Sequence, residues 1–298
     1  MLFRSAKKEL TEFCRILEAE GVIVKRPEAV DHSKGYSTPE WESPCGLYAA
    51  MPRDSMLVIG NEIIEAPMAW RSRYFETHAF RSLIKHYFRH GAKWTAAPKP
   101  QLSDALYDYD YSNQSGSREM KRVINEYEPT FDAADFVRCG KDILAQKSHV
   151  TNSFGIEWLR RHLGDQFTIH ELKFADPHPM HIDATILPLA PGKLLVNPER
   201  VKNVPPIFKN WEILYAPKPC IPDDYTLYMT SKWINMNLLM LDEERVVVEK
   251  QEQPLISALK DWGFKPILCS FREFNRFGGS FHCATLDIRR RGTLQSYF

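Results

Sequence analysis

The sequence predicts an α/β fold in which a strand, strand, helix, strand unit recurs around a ring. Three observations carry this. Paired apolar strands joined by tight turns occur at four places, each followed by a helix or helical turn and a further short apolar run. Glycines close the helical patterns, at Gly21, Gly91, Gly164 and Gly263. One helix and strand at the front and one strand at the back complete the pattern, which implies a cyclic array of five. Identity between the units is negligible, so the repeat is architectural.

From Ser5 to Glu20, Leu10, Phe13, Cys14 and Leu17 follow helical spacing, and Val22-Ile23-Val24 reads as a buried strand. Met56 to Gly60 and Ile63-Ile64 form a hairpin over Asn61-Glu62. A long helix then runs from about Ala69 to His90 with Phe80, Leu83, Ile84, Tyr87 and Phe88 buried, followed by a strand at Trp94. Phe131 to Gln146 reads as strands, Asn152 to Leu163 as a helix and Phe167 to Leu172 as a strand. Ile186 to Val196 is a hairpin turned by Pro191-Gly192, followed by a helical turn and a strand at Trp211 to Tyr215. Leu238 to Val248 is a hairpin turned at Asp242-Glu243, Pro254 to Trp262 a helix and Pro266 to Cys269 a strand. Gln101 to Glu126 has no period and is polar and rich in Tyr and Ser, with Tyr107, Tyr109, Tyr111, Ser112, Asn113, Ser115, Gly116 and Ser117. It reads as a lid, a binding loop or a disordered insertion.

With 298 residues the chain can bury a large core, and a single domain over 1–298 is expected. The 39 Lys and Arg against 38 Asp and Glu leave no net field for polyanions, which argues against nucleic acid or a membrane as partner. Arg289-Arg290-Arg291 then reads as a solvated edge or local ion pairs. The six cysteines (14, 45, 139, 220, 269 and 283) form no C-x-x-C pair and no zinc spacing, so no metal is expected and reduced thiols in the cytoplasm fit best. No apolar run approaches the ~20 residues of a spanning helix. Glu9, Glu12, Glu18 and Glu20 make the N-terminus unlike a signal or transit peptide.

Chemistry concentrates in two stretches. In Gly278 to Gly292 the two leading glycines free the backbone, and the following alternation reads as a strand with Cys283 at its start. That is a place for a nucleophile, and equally for a small buried hydrophobe. If Cys283 faces a pocket, His282 faces away from it and the proton-handling partner comes from elsewhere. In Asp176 to Thr185, two prolines stiffen a loop presenting His181 and Asp183, two apart and so on one face of a strand start. Such a pair suits acid-base chemistry on a cationic substrate, or is a satisfied surface pair. Asp132-Ala133-Ala134-Asp135 and Met51-Pro52-Arg53-Asp54 offer further carboxylates at element ends, where caps and turns also use them.

These stretches resemble the glycine amidinotransferase family of the guanidino-modifying (pentein) superfamily, from about Ala6 to Phe298. The resemblance runs through Met51 to Asp54, Gly60 to Arg73, Phe131 to Phe136, Pro179 to Thr185, Ser231 to Trp233 and Phe281 to Tyr297. It implies a five-bladed α/β propeller with pseudo-fivefold symmetry and a site on its axis. It implies a catalytic set of Cys283, His181 and Asp132, with Asp54 and Asp183 holding the guanidinium of arginine. Arg200, Thr230 and Ser231 would hold the amino-acid end, and Met180 and His178 would lie in the loop over the acceptor. Paired carboxylates match a planar guanidinium, and arginine is the best receptor for a carboxylate. The implied reaction moves the amidino group of arginine through Cys283 to an amine such as glycine, in guanidino metabolism of creatine type, and releases ornithine. No cofactor is implied. The partners are these small molecules, and a homodimer is an allowed assembly.

Three departures stand out. No strand precedes the first helix, so the first blade is expected to be incomplete. Thr230 replaces a serine and His178 an asparagine of the glycine enzymes, which puts glycine in question as the acceptor. A hydrolase of the same superfamily and a non-catalytic propeller are the competing readings.

Overall fold

All four expected hairpins are present in the computed structural model, which describes residues 2–111, 122–227 and 230–298. The chain opens with α1 (Leu2–Ala19), then β1 (Tyr36–Ser37), β2 (Glu42–Ser43), α2 (Pro52–Ser55), β3 (Met56–Ile59), β4 (Glu62–Glu65), α3 (Arg81–Arg89) and β5 (Lys93–Ala96). It continues through β6 (Phe136–Cys139), β7 (Asp142–Gln146), α4 (Ser153–Leu163), β8 (Thr168–Leu172), β9 (Ile186–Ala190), β10 (Lys193–Val196) and β11 (Glu212–Tyr215). The last elements are β12 (Leu239–Met240), β13 (Arg245–Glu249), α5 (Gln253–Asp261), β14 (Lys265–Cys269) and α6 (Arg272–Asn275).

Four three-stranded sheets share one plan. The second strand of each hairpin lies in the middle, antiparallel to the first strand and parallel to the third. A middle strand is covered on both faces, which is why Leu194-Leu195-Val196 and Val246-Val247-Val248 are unbroken apolar runs, all at 0% exposure. A parallel third strand needs a crossover. Helices α3, α4 and α5 supply three of these, and Pro206–Phe208 supplies only a 3-10 turn between β10 and β11. Asn152 caps α4 by accepting the Gly155 N–H at 2.9 Å, and Gly164 ends the helix at φ +56. Gly155 is required there, because a Cβ would lie 2.3 Å from the Thr130 carbonyl oxygen.

The chain divides into two compact units. One comprises Pro27–Ile182 and Leu286–Phe298 and holds the sheets β3–β5 and β6–β8. They share a core of Leu57, Ile64, Phe131, Phe136, Ile143, Ile156 and Leu159. The C-terminal segment is tied in by Arg53 to Asp287 at 3.0 Å and by Ser296 Oγ donating to Asp142 at 2.6 Å. The other unit comprises Met1–Arg26 and Asp183–Thr285. Its sheets, β9–β11 and β12–β14, share Leu187, Leu195, Trp233, Met236, Val246, Val248 and Leu259. Here α1 places Phe13 edge-on against Phe271 and Phe281, with ring centroids 5.0 and 5.1 Å away.

Several expectations are corrected. Val22 to Val24 is not a strand: Gly21 turns at φ +85, Val22 N–H bonds back to Leu17 O, and Ile23 is 83% exposed. The stretch from Ala69 to His90 is not one helix but the 3-10 turns Arg71–Arg73 and Glu76–Phe80 followed by α3. Phe88 is 57% exposed, so it is no part of the buried stripe. Residues 281–284 form a turn, with Ala284 N–H on Ser280 O, not a strand. Ile182–Ala184 is a 3-10 turn, so the strand argument for His181 and Asp183 sharing a face does not hold. Within the irregular stretch from Gln101, Asp104–Leu106 is a 3-10 turn and Tyr107 bridges to Ile124. Ser112, Asn113, Ser115, Gly116 and Ser117 lie outside the described residues.

Candidate active site

In the unit that carries His181, three acidic side chains surround one guanidinium. Pro52 at the first turn of α2 starts a single helical turn that buries Asp54, and the 3-10 turn after Asp132 buries Asp135. Arg73 is 5% exposed. Its Nε and Nη2 make a bidentate pair with Glu76 at 2.6 and 2.8 Å, Nη2 also reaches Asp54 Oδ2 at 3.0 Å, and Nη1 reaches Asp132 Oδ2 at 3.3 Å. Burial opposes the charge of Arg73, but Glu76, Asp54 and Asp132 outweigh it and hold the guanidinium charged far above neutrality. Burial likewise raises Glu76, and despite Arg73 its carboxyl sits at about 7.

His181 lies between the two aspartates. Nε2 is 3.2 Å from Asp132 Oδ2 and Nδ1 3.6 Å from Asp54 Oδ1. Its backbone is left-handed at φ +55, a conformation that costs a non-glycine residue on the order of 1 kcal/mol. The preceding loop sustains it: Pro179 O accepts the His149 N–H at 2.9 Å, and Met180 packs against the core cluster that includes Trp41, Ala69, Leu102 and Val150. Met180 is therefore partly a core residue. His178 is exposed, with its ring 6.2 Å from that of His149. Behind Asp132, Asp135 accepts from Gln146, Ser148 and Thr151, and burial raises its carboxyl to about 6.

In the other unit the convergence point is Asp183, which is 1% exposed. Its Oδ2 accepts from Asn237 Nδ2 at 2.7 Å, pairs with His282 Nδ1 at 2.7 Å and lies 3.8 Å from Cys283 Sγ. Asn237 Oδ1 in turn accepts the main-chain N–H groups of Ser280 and Cys283 at 3.1 and 3.0 Å. Because 281–284 is a turn, His282 and Cys283 reach the same carboxylate, which corrects the expectation that His282 faces away. Arg200 Nη2 donates to Ser231 Oγ at 3.1 Å and Nη1 to the Ala184 carbonyl at 3.3 Å. Thr230 is half-buried beside Ser231.

The sequence reading missed Arg73, Glu76, Asn237 and the inward face of His282. The signals were there: Arg73 and Glu76 stand in a stretch that also holds Ala69, Ala79 and Phe80, and Asn237 sits between Met236 and Leu238 in an otherwise apolar run. Buried polar groups of that kind need partners.

Chemically, one unit offers a buried thiol beside a carboxylate, and the other an imidazole between two carboxylates. Comparison with known proteins decides the family. The chain is 64% identical over 98% of its length to the L-arginine:L-lysine amidinotransferase of Pseudomonas savastanoi pv. phaseolicola, of which it covers 80%. This chain belongs to the amidinotransferase family. Among other family members, the mitochondrial glycine amidinotransferase of Gallus gallus is 52% identical over 99% of the chain and 72% of that protein. The solved amidinotransferase SxtG of the saxitoxin biosynthetic pathway in Microseira wollei superposes with a TM-score of 0.95 at 60% identity, covering 100% of this chain and 86% of that one. A dimethylarginine dimethylaminohydrolase, 16% identical with a TM-score of 0.56 over 79% of this chain and 77% of its own, shares the fold alone. The fold of this amidinotransferase is accordingly the pentein fold, α/β with small sheets. No family model matches the chain.

Proposed function

We propose that this amidinotransferase carries the amidino group of L-arginine on Cys283 and delivers it to an amino-acid amine, releasing ornithine. The observation that carries this is the buried Cys283 thiol 3.8 Å from Asp183 Oδ2. A guanidinium bound to that carboxylate would present its electrophilic carbon to sulfur. The thiolate forms an S–C bond, the bond from carbon to the ornithine nitrogen breaks, and His181 protonates the departing amine. The acceptor amine then attacks the same carbon, its proton passes to His181, and the S–C bond breaks. Asp132 orients His181, Asp54 and Asp183 hold the guanidinium, and Arg200 with Thr230 and Ser231 receives the carboxylate end. His178 and Met180 lie in the loop expected over the acceptor.

Lysine is the first acceptor to test, because the relative at 64% identity is named for it; glycine is the second. The same reading makes the chain a single five-bladed propeller domain over 1–298, with the four three-stranded sheets among its blades. A homodimer is the assembly to test. No described helix is long and apolar enough to cross a membrane. Six free thiols suit a reducing compartment such as the cytoplasm.

The experiment is incubation with arginine and a panel of amines including lysine and glycine, read by mass spectrometry. Ornithine in equal amount to a guanidino product supports the reading. Citrulline or urea in place of a guanidino product would make the protein a hydrolase.

A further inference from the structure

Arg73 and Glu76 have no role in the reaction described so far, yet they are among the most thoroughly buried charges of the unit that carries His181. Arg73 is bound on four sides. Glu76 takes its Nε and Nη2, Asp54 shares Nη2, Asp132 takes Nη1, and the ring of Tyr48 lies 5.7 Å from its Cζ. Asp132 Oδ2 is thus shared between Arg73 at 3.3 Å and His181 at 3.2 Å. Asp54 turns Oδ2 to Arg73 and Oδ1 toward His181. Both carboxylates that bracket the imidazole are therefore set in place by one guanidinium.

We propose that Arg73 and Glu76 are positioning residues for amidino transfer: Arg73 orients Asp54 and Asp132 around His181 and limits their negative charge, and Glu76 holds Arg73 in its fork. This rests on the assignment of His181 as the group that gives and takes the proton. Two unopposed carboxylates would keep an imidazole protonated, which suits the first step and obstructs the second, where the acceptor amine must lose a proton. A cation bonded to both reduces that hold. The groups that set the balance in this unit are Asp54 on α2, Asp132 and Asp135 at the 3-10 turn, and Arg73 and Glu76 on the turns before α3.

The opposite charges of the pair give opposite expectations. In Arg73→Met the carboxylates lose their cation, so His181 titrates at higher pH. In Glu76→Gln the guanidinium is less neutralised, so His181 titrates at lower pH; the change is on the order of one unit in Arg73→Met and smaller in Glu76→Gln, because a carboxyl at about 7 carries only part of its charge near neutral pH. The titration is read by NMR of the imidazole in protein without substrates, so it does not depend on turnover. Failure of the wild type to transfer an amidino group to any amine would sink the functional reading and leave this measurement unaffected. Arg73→Lys keeps the cation and loses the fork. It should titrate like wild type while kcat falls at least about tenfold, since a single ammonium cannot hold both aspartates. His181 unmoved in the Met and Gln variants, or moved the same way in both, overturns the charge-setting role. Wild-type kcat in Arg73→Lys overturns the positioning role. If Arg73→Met does not fold, Glu76→Gln and Arg73→Lys still decide both points.

Discussion

Asn237 donates to Asp183 Oδ2 at 2.7 Å through Nδ2 while its Oδ1 accepts the main-chain N–H of Cys283 at 3.0 Å. One buried amide thereby sets the distance between the thiol and the carboxylate that is assigned to the guanidinium. Asn237→Ala removes these bonds and leaves buried donors unmet, at about 1–3 kcal/mol. Ornithine release should fall about 10- to 100-fold, with the folded state retained by circular dichroism. Wild-type release in a folded Asn237→Ala protein would show that the thiol is held in place by other means.

Asp183→Asn tests the carboxylate itself. The amide loses a charge-assisted contact of about 1.5–3 kcal/mol to a guanidinium and forces a choice among the donors Asn237, His282 and any ligand. The loss should appear in the arginine half-reaction before any acceptor is added. Unchanged ornithine kinetics in this variant would remove Asp183 from the donor site.

Asp135 should contribute to the pH dependence of stability. Its folded carboxyl at about 6 lies above the ordinary value of 3.8, chiefly through burial. A raised acid contributes stability that is complete below about pH 4 and is lost as pH rises through about 6, on the order of 3 kcal/mol in all. Asp135→Asn keeps the shape and removes the ionisation, so Tm should fall less between about pH 4 and 7 than in wild type. Glu76, raised to about 7, acts in the same direction and at least as strongly, so Asp135→Asn should keep a comparable slope from that group. Identical slopes in the two proteins would mean that Asp135 does not titrate as its burial requires.

His178 carries the prediction about the acceptor. It is exposed on the loop that ends in His181, with its ring 6.2 Å from that of His149. His178→Asn should change the ranking of lysine and glycine as acceptors and leave ornithine release from arginine nearly unchanged. Equal effects on both half-reactions would place His178 in the donor site or in the fold.

The pattern of apolar runs and turn residues was enough to place the four hairpins and the ends of α4 and α5, because these depend on local periodicity and on Gly164 and Gly263. It misled where a side chain replaces a strand partner. Phe281 to Leu286 alternates like a strand, yet the N–H groups of Ser280 and Cys283 are taken by Asn237, more than forty positions away in sequence. Ala69 to His90 has helical spacing, yet the turns break at Arg73 and Glu76, whose burial beside Asp54 and Asp132 outweighs helical propensity. Charged residues inside an apolar period were the visible sign; Glu76 lies three positions from Arg73, but Asp54 and Asp132 lie too far along the chain to be read from it.

The covalent relay on Cys283 is the centre of this account. The most direct test is to give the wild-type protein arginine alone, quench it, digest it and weigh the peptides. One amidino group is expected on the peptide containing Cys283, lost again when lysine or glycine is added, and absent in Cys283→Ala, which should fold and release no ornithine. A protein that turns over with no adduct on any peptide, or a Cys283→Ala variant that releases ornithine near the wild-type rate, would contradict it.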